Sequence, residues 1–259
     1  MKRWSVLLLA AVLLITLVGL ITVRTAALAQ SGPAPMIVDG DFDRNVSNRM
    51  LRNHESPRGW FESRHDGKLG RAQLVLSKKA VGGNATKKAM LKGDPKANAY
   101  LSQALREAQK GPFTVQWDIF VKSIAAPPNR SAFQMIGTDA VKGRGPNATG
   151  AERFAFLAFE NAATAGKINL VAMEDGTAPG APKSRVIAPD LSLKKWYTVQ
   201  VSANPAAGTY TVSIPGVTTA PVTVKGFVTK DKPTPKELTH VSFATWNDGP
   251  GVFYVDNVK

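Results

Sequence analysis

The chain has 259 residues, with 33 Lys and Arg against 19 Asp and Glu, a formal net charge of +14, and no cysteine. The lack of cysteine excludes a disulfide framework, thiol catalysis and any cysteine zinc site. The positive balance favours anionic partners such as acidic polysaccharide, cell-wall polymer, lipid headgroups or nucleic acid, and bears on association, not on fold.

Lys2 and Arg3 precede an apolar run from Val6 to Val23, and Ala27-Leu28-Ala29 carries the small-x-small pattern of a signal-peptidase site. Residues 1–29 therefore read as a cleaved signal peptide or, if uncut, as a membrane anchor through residues 6–23. As a helix that run would span roughly 27 Å, close to the ~30 Å hydrocarbon core of a bilayer. Either way the bulk of the chain is expected to be secreted or extracytoplasmic. Loss of Lys2, Arg3 and Arg24 leaves 30 basic and 19 acidic residues, a balance of +11. Residues 30–36, with Ser31-Gly32-Pro33-Ala34-Pro35, form a short spacer. Residues 37–259 are long enough to bury a core without covalent staples and read as one domain.

An acidic strand-like segment, Ile37-Val38-Asp39-Gly40-Asp41-Phe42-Asp43, opens that domain. Asn98 to Gln109 is the main helix candidate, with Leu101, Ala104, Leu105 and Ala108 at helical spacing and Asn98 as cap; a strand and a turn is the alternative. Phe113, Val115, Trp117, Ile119 and Val121 then alternate with Thr114, Gln116, Asp118 and Lys122, the pattern of a half-buried strand with one exception at Phe120. Phe154 to Phe159 is apolar on both faces, as in a central strand covered on each side. Lys167 to Met173 leads into the turn Glu174-Asp175-Gly176. Tyr197 to Val201 and Tyr210 to Ile214 are joined by Asn204-Pro205-Ala206-Ala207-Gly208 as a hairpin. Val222 to Val224, Thr239 to Thr245 and Gly251 to Val258 complete a set of short strands with almost no helix, which reads as a sandwich or barrel. If its first and last strands lie side by side, the acidic opening segment meets Asp256.

Asp39-Gly40-Asp41-Phe42, Pro57-Arg58-Gly59-Trp60, Phe113 to Val121, Leu191 to Val201 with its returning hairpin, and Phe253-Tyr254-Val255-Asp256-Asn257-Val258 resemble the concanavalin A-like lectin/glucanase (laminin G-like) jelly rolls, or a related jelly-roll carbohydrate-binding module. The resemblance spans nearly all of the chain after the leader. It implies an all-β, two-sheet antiparallel jelly-roll β-sandwich, a structural calcium near the chain ends, and sugar binding on a concave face or at loop tips.

Asp39, Asp41 and Asp43 alternate, so a strand would put all three carboxylates on one face, a costly arrangement unless a cation such as calcium or the bases Arg44 and Arg49 neutralise it. Asp256 joins that metal set if the ends are adjacent. An EF-hand is excluded, because Arg44 stands where its loop needs glycine and Met50 where it needs glutamate. Trp60 and Trp246, the latter followed by Asn247 and Asp248, are the ligand-binding candidates: a loop tryptophan stacks on a sugar ring while amides and carboxylates take its hydroxyls. Core packing is the alternative for both, and Trp117 and Trp196 are assigned to the core.

Hydrolysis of a glycosidic bond needs two carboxylates about 5 to 10 Å apart. Glu152 and Glu160, on one strand, would sit roughly 26 Å apart at ~3.3 Å per residue. The closely spaced Glu/Asp signature that the resemblance would supply for a glucanase is absent. His54, His65 and His240 show no metal-ligand spacing; the first two lie with Arg52, Arg58 and Arg64 in a basic region of the kind a lyase uses, or that is simply a solvated loop. The leading expectation is an exported non-catalytic carbohydrate-binding protein whose partner is a polysaccharide or cell-surface glycan, acidic if the charge is used. A polysaccharide lyase or glycoside hydrolase on the same scaffold, and a structural envelope protein, are the alternatives; the scattered lysine doublets give no nucleic-acid motif.

Overall fold

The computed structural model describes residues 36–44, 59–63, 73–94, 98–139, 141, 144–147, 150, 152–175, 183–229, 233–245 and 251–259. The leader and most of the spacer, Met50, Arg49, His54, His65 and their neighbouring arginines, and the candidate ligand residues Trp246, Asn247 and Asp248 lie outside the described residues.

Among the described residues there are fourteen strands and no helix. They are β1 (Phe61–Glu62), β2 (Gln73–Ser77), β3 (Lys88–Lys92), β4 (Ala99–Gln109), β5 (Phe113–Ser123), β6 (Ser131–Gly137) and β7 (Arg153–Asn161). The chain continues through β8 (Lys167–Asp175), β9 (Lys183–Ser192), β10 (Trp196–Asn204), β11 (Thr209–Ser213), β12 (Val222–Lys225), β13 (Leu238–Thr245) and β14 (Val252–Asp256). Two seven-stranded antiparallel sheets result, in the orders β1-β4-β13-β6-β7-β8-β9 and β12-β11-β10-β5-β14-β3-β2. This is the expected two-sheet antiparallel jelly-roll sandwich.

The inner faces supply one core, in which Val115, Trp117, Ile119 and Val121 of β5 meet residues such as Leu101, Ile136, Leu157 and Phe243 of the opposite sheet. Burial of this apolar area, at ~25 cal/mol per Å², is the main source of stability. Trp117 needs a partner for its indole N–H once buried. Gln134 provides it from β6, accepting at 2.7 Å through Oε1, while its own amide donates to the Ala132 carbonyl at 3.0 Å. Strand β7 is covered on both sides, as its sequence predicts: Leu157 and Phe159 enter the main core, and Phe156 and Ala158 join a second apolar cluster with Phe133, Met135 and Phe227 on the other face.

The helix expected over Asn98 to Gln109 is instead strand β4. Its register on β13, with Ser242 opposite Ser102 and Phe243 opposite Leu101, satisfies the backbone from a neighbour. Leu101, Gln103 and Leu105 are buried while Ala104 and Arg106 are exposed, a period of two that the helical spacing of the same leucines disguised.

The two ends of the domain meet, but not as neighbouring strands. The Val258 N–H donates to the Gly40 carbonyl at 3.0 Å. Residues 39–42 form a turn in which Asp39 (φ 52°) and Phe42 (φ 56°) are left-handed. Gln103 clamps the preceding residue from β4, its Oε1 accepting from the Val38 N–H at 2.6 Å and its Nε2 donating to the Val38 carbonyl at 2.7 Å. A Cβ on Gly40 would collide with the Val258 carbonyl oxygen. Gly40→Ala is therefore expected to separate the ends and cost about 2 kcal/mol, a drop of roughly 4–8 °C in Tm for a domain this size; a melting curve matching the parent would show that the contact is not needed.

Candidate functional site

The outer face of the second sheet carries side chains that alternation turns away from the core. Trp196 of β10 and Tyr254 of β14 both stand opposite Phe120 of β5 in register, which makes one cross-strand aromatic row. Phe120 lies 5.4 Å from Trp196 and 5.9 Å from Tyr254, centroid to centroid, the latter edge to face. Thus the exception at Phe120 in the alternating strand is an outward aromatic, and Trp196, expected in the core, belongs to this outer row, half-buried.

Residues 78–87, between β2 and β3, fold across that face. The indole N–H of Trp196 donates to the Val81 carbonyl at 2.7 Å. Gly82, at φ +54°, lies so close to the Phe120 ring that a Cβ would overlap it. Further along, the Asp256 carboxylate accepts from Asn84 Nδ2 at 2.7 Å, Thr86 Oγ1 at 2.9 Å and the Asn257 N–H at 2.8 Å. Burial pushes its pKa up, and these donors together with the nearby Lys88 charge oppose the shift. Lys88 is itself fully covered; its ammonium donates to the carbonyls of Thr86, Lys79 (3.2 Å) and Ser77 (3.5 Å). Its pKa is lowered by burial, against the attraction of the Asp256 and Asp43 carboxylates.

The cation nearest Asp256 is therefore a lysine ammonium, held by carbonyls, with Asp256 and more weakly Asp43 attracting it through space. The residues present do not fit the calcium that the resemblance implied. Asp39 is buried in the turn, and Asp41 and Asp43 are exposed. Asp43 Oδ1 accepts from the Lys87 N–H at 3.3 Å, and its carbonyl accepts from Lys87 Nζ at 2.7 Å. Asp256 is surrounded by donors. Among the described residues no three or more His, Asp or Glu side chains converge as a metal would require.

Between the 78–87 segment and the β9–β10 turn the face opens into a cleft of about 420 Å³, lined by Ser77, Lys79, Ala80, Val81, Phe120, Lys122, Lys194 and Tyr254. Its size is in the range of small-ligand sites, ~300–1,000 Å³. It brings together two rings and three exposed lysines from four separate elements. None of these residues was singled out from sequence. The available signals were Phe120 breaking its pattern and the doublets Lys78-Lys79 and Lys194-Lys195.

The other candidates fall elsewhere. Trp60 is a correction: it has no exposed surface, donates its indole N–H to the Asp39 carbonyl at 3.2 Å, and packs 5.4 Å from Phe42 and 6.1 Å from Phe243, so no sugar reaches its ring. Glu152 is held in its turn, accepting from the Gly150 N–H at 2.8 Å, while Glu160 pairs with Arg130 at 3.2 Å. His240 lies on the outer face of the first sheet, against Asp139 and Gly145. Its Nε2 is 3.7 Å from Asp139 Oδ2, its Nδ1 2.9 Å from Thr239 Oγ1, and Gly145 packs against the ring. It faces backbone and not an open groove. A second groove of about 490 Å³, at the edge formed by β8, β9, β11 and β12, has Glu174, Lys183 and Lys225 in its wall and no aromatic ring.

No protein-family model matches the chain, and no curated protein does. Solved structures match. A carbohydrate esterase of the Shiga toxin-encoding bacteriophage phi24B superposes with a TM-score of 0.50 at 15% identity, over 82% of this chain and 96% of the esterase. The carbohydrate recognition domain of Emp47p gives 0.47 at 11% identity over 82% and 94%. A sialidase gives 0.47 at 12% over 82% of this chain and 18% of its own, so this chain spans under a fifth of the sialidase. At these identities the likeness is one of fold, the two-sheet antiparallel sandwich.

Two outcomes follow for stability. Chelation should leave Tm unchanged, whereas Lys88→Met, which leaves three carbonyls without their donor, should cost about 3 kcal/mol; a chelator-induced drop in Tm would restore the calcium. Burial, the larger influence, lowers the His240 pKa from the ordinary 6.5, and Asp139 opposes it more weakly. The unfolded chain then binds the proton first as pH falls, so the His240 contribution is present above 6.5 and is lost as pH drops through the lowered folded pKa. Thermal melts between about pH 7.5 and pH 5 should show Tm falling with pH, with a shallower fall in His240→Gln.

Proposed function

We propose that this chain is an exported, non-catalytic carbohydrate-binding protein, and that the cleft over the outer face of the second sheet holds its ligand. The observation that carries this reading is the composition of that cleft, with the Phe120 and Tyr254 rings beside lysine ammonium groups and the carbonyl-bearing segment Lys79 to Val81. A sugar presents C–H groups on one side and hydroxyls around its rim. The ring edges that Phe120 and Tyr254 leave open at the cleft floor, with 5% and 6% of each residue exposed, meet the first, and ammonium, phenol and carbonyl groups suit the second. The Tyr254 phenol, its pKa raised by burial, stays protonated and able to donate. The jelly-roll frame is compatible with this use without specifying it.

Among the described residues, the surroundings of the candidate acids and bases favour a non-catalytic role over cleavage. Asp118, the carboxylate nearest the aromatic row in β5, accepts from Thr198 Oγ1 at 2.6 Å and from Asn257 Nδ2 at 2.8 Å, and among the described residues the cleft wall holds no carboxylate or imidazole. On a glycan array the protein should retain a subset of polysaccharides without generating reducing ends or unsaturated products. Tyr254→Phe, which keeps the ring and removes one donor worth about 1 kcal/mol, should weaken that binding roughly fivefold with the fold intact by circular dichroism. A blank array refutes the reading, and released product replaces it with an enzyme.

A further inference from the structure

We infer that the cleft selects an anionic glycan, carboxylated or sulfated, with Lys79, Lys122 and Lys194 as its anion contacts; this rests on the carbohydrate reading of the same cleft. Among the described residues three cations line it and no carboxylate does. They arrive from the 78–87 segment, from the end of β5 and from the β9–β10 turn, positions far apart in sequence, so the fold concentrates charge that the sequence scatters. None of the three forms an ion pair among the described residues. The carboxylates on the same sheet face are occupied elsewhere: Asp256 by Asn84, Thr86 and Asn257, and Asp118 by Thr198 and Asn257. A cleft of this kind presents uncompensated positive charge to whatever enters it.

The backbone at Lys194 lets one of these contacts be removed by itself. Its φ is +60°, the left-handed region that glycine occupies freely and a lysine occupies at a cost of roughly 1 kcal/mol. Its N–H donates to the Val121 carbonyl at 2.8 Å, which fixes the turn against β5. Glycine would relieve that conformation, so Lys194→Gly removes the side chain at the cleft mouth without a backbone cost. Lysine, with three donors on a compact charge, accepts carboxylate or sulfate from a range of directions. The recess between the 78–87 segment and the β9–β10 turn distinguishes this site from a flat basic patch that would suit a membrane surface.

The test uses the full-length protein and two matched pairs: polygalacturonate against its methyl-esterified form, and dextran sulfate against dextran, titrated by isothermal calorimetry. At least one anionic member should bind ten or more times tighter than its neutral partner. The triple variant Lys79→Gln, Lys122→Gln, Lys194→Gln should lose that binding at least tenfold. A control triple with the same charge change outside the cleft, Lys110→Gln, Lys183→Gln, Lys225→Gln, should lose less than threefold. Lys194→Gly alone should weaken binding while leaving Tm equal or higher, which separates lost contact from lost folding. Equal losses in the two triples would overturn the site, leaving only the general charge. Equal affinity for neutral and anionic members would overturn the anion preference and keep the carbohydrate reading. If no polysaccharide binds, whether or not phosphatidylglycerol vesicles do, the carbohydrate reading falls and this inference with it.

Discussion

A buried ammonium group must be surrounded by acceptors, and Lys88 meets that requirement by drawing the 78–87 segment down onto the second sheet. Its three carbonyl acceptors come from Ser77, Lys79 and Thr86, at both ends of that segment. An ammonium stripped of water costs several kcal/mol unless such groups replace the solvent. The segment is thus folded back as a condition of covering the charge, and the carboxylate of Asp256, bound to Asn84 and Thr86, gives the same segment a second fixed point. One wall of the cleft, Lys79 to Val81, is a by-product of this electrostatic closure.

The closure also joins the chain ends. Asp43 reaches Lys87 through its carbonyl and carboxylate, and Gly40 receives the Val258 N–H two residues after Asp256. Turn, segment and last strand hold one another without a disulfide, consistent with a chain that has no cysteine. The aromatic line Phe42, Trp60, Phe243 and Trp117 carries the same connection into the core, each ring within 6.1 Å of the next. Trp60 thereby serves to anchor the opening turn, through its bond to the Asp39 carbonyl.

Sheet content, the hairpin of β10 and β11, and the double burial of β7 were legible because each depends on a two-residue period that survives in the side chains themselves. The strand β4 was not, since Leu101, Ala104, Leu105 and Ala108 satisfy a helical spacing as well, and only pairing with β13 decides between them. The meeting of the ends was legible from the acidic opening and the closing strand. The identity of the cation was not: a lysine eleven residues after Ser77 gives no sign in sequence that its side chain will fold back onto that residue's carbonyl. The cleft was hidden for a related reason, because its lysines and rings belong to strands and turns that become neighbours only through sheet order.

Rigidity gives the cleft its potential use. Its floor is a cross-strand row on two ladders, one wall is tied by the Trp196 indole to Val81, and the opposite turn is tied by the Lys194 N–H to Val121. Gly82 allows the wall to approach the Phe120 ring closer than any other residue would. Flexible polysaccharides lose conformational freedom on binding, and a surface that is already ordered adds little further entropy cost of its own. Lys194, left-handed at φ 60°, sits in that second turn, so the same bond to Val121 that ties the turn also sets where its backbone lies.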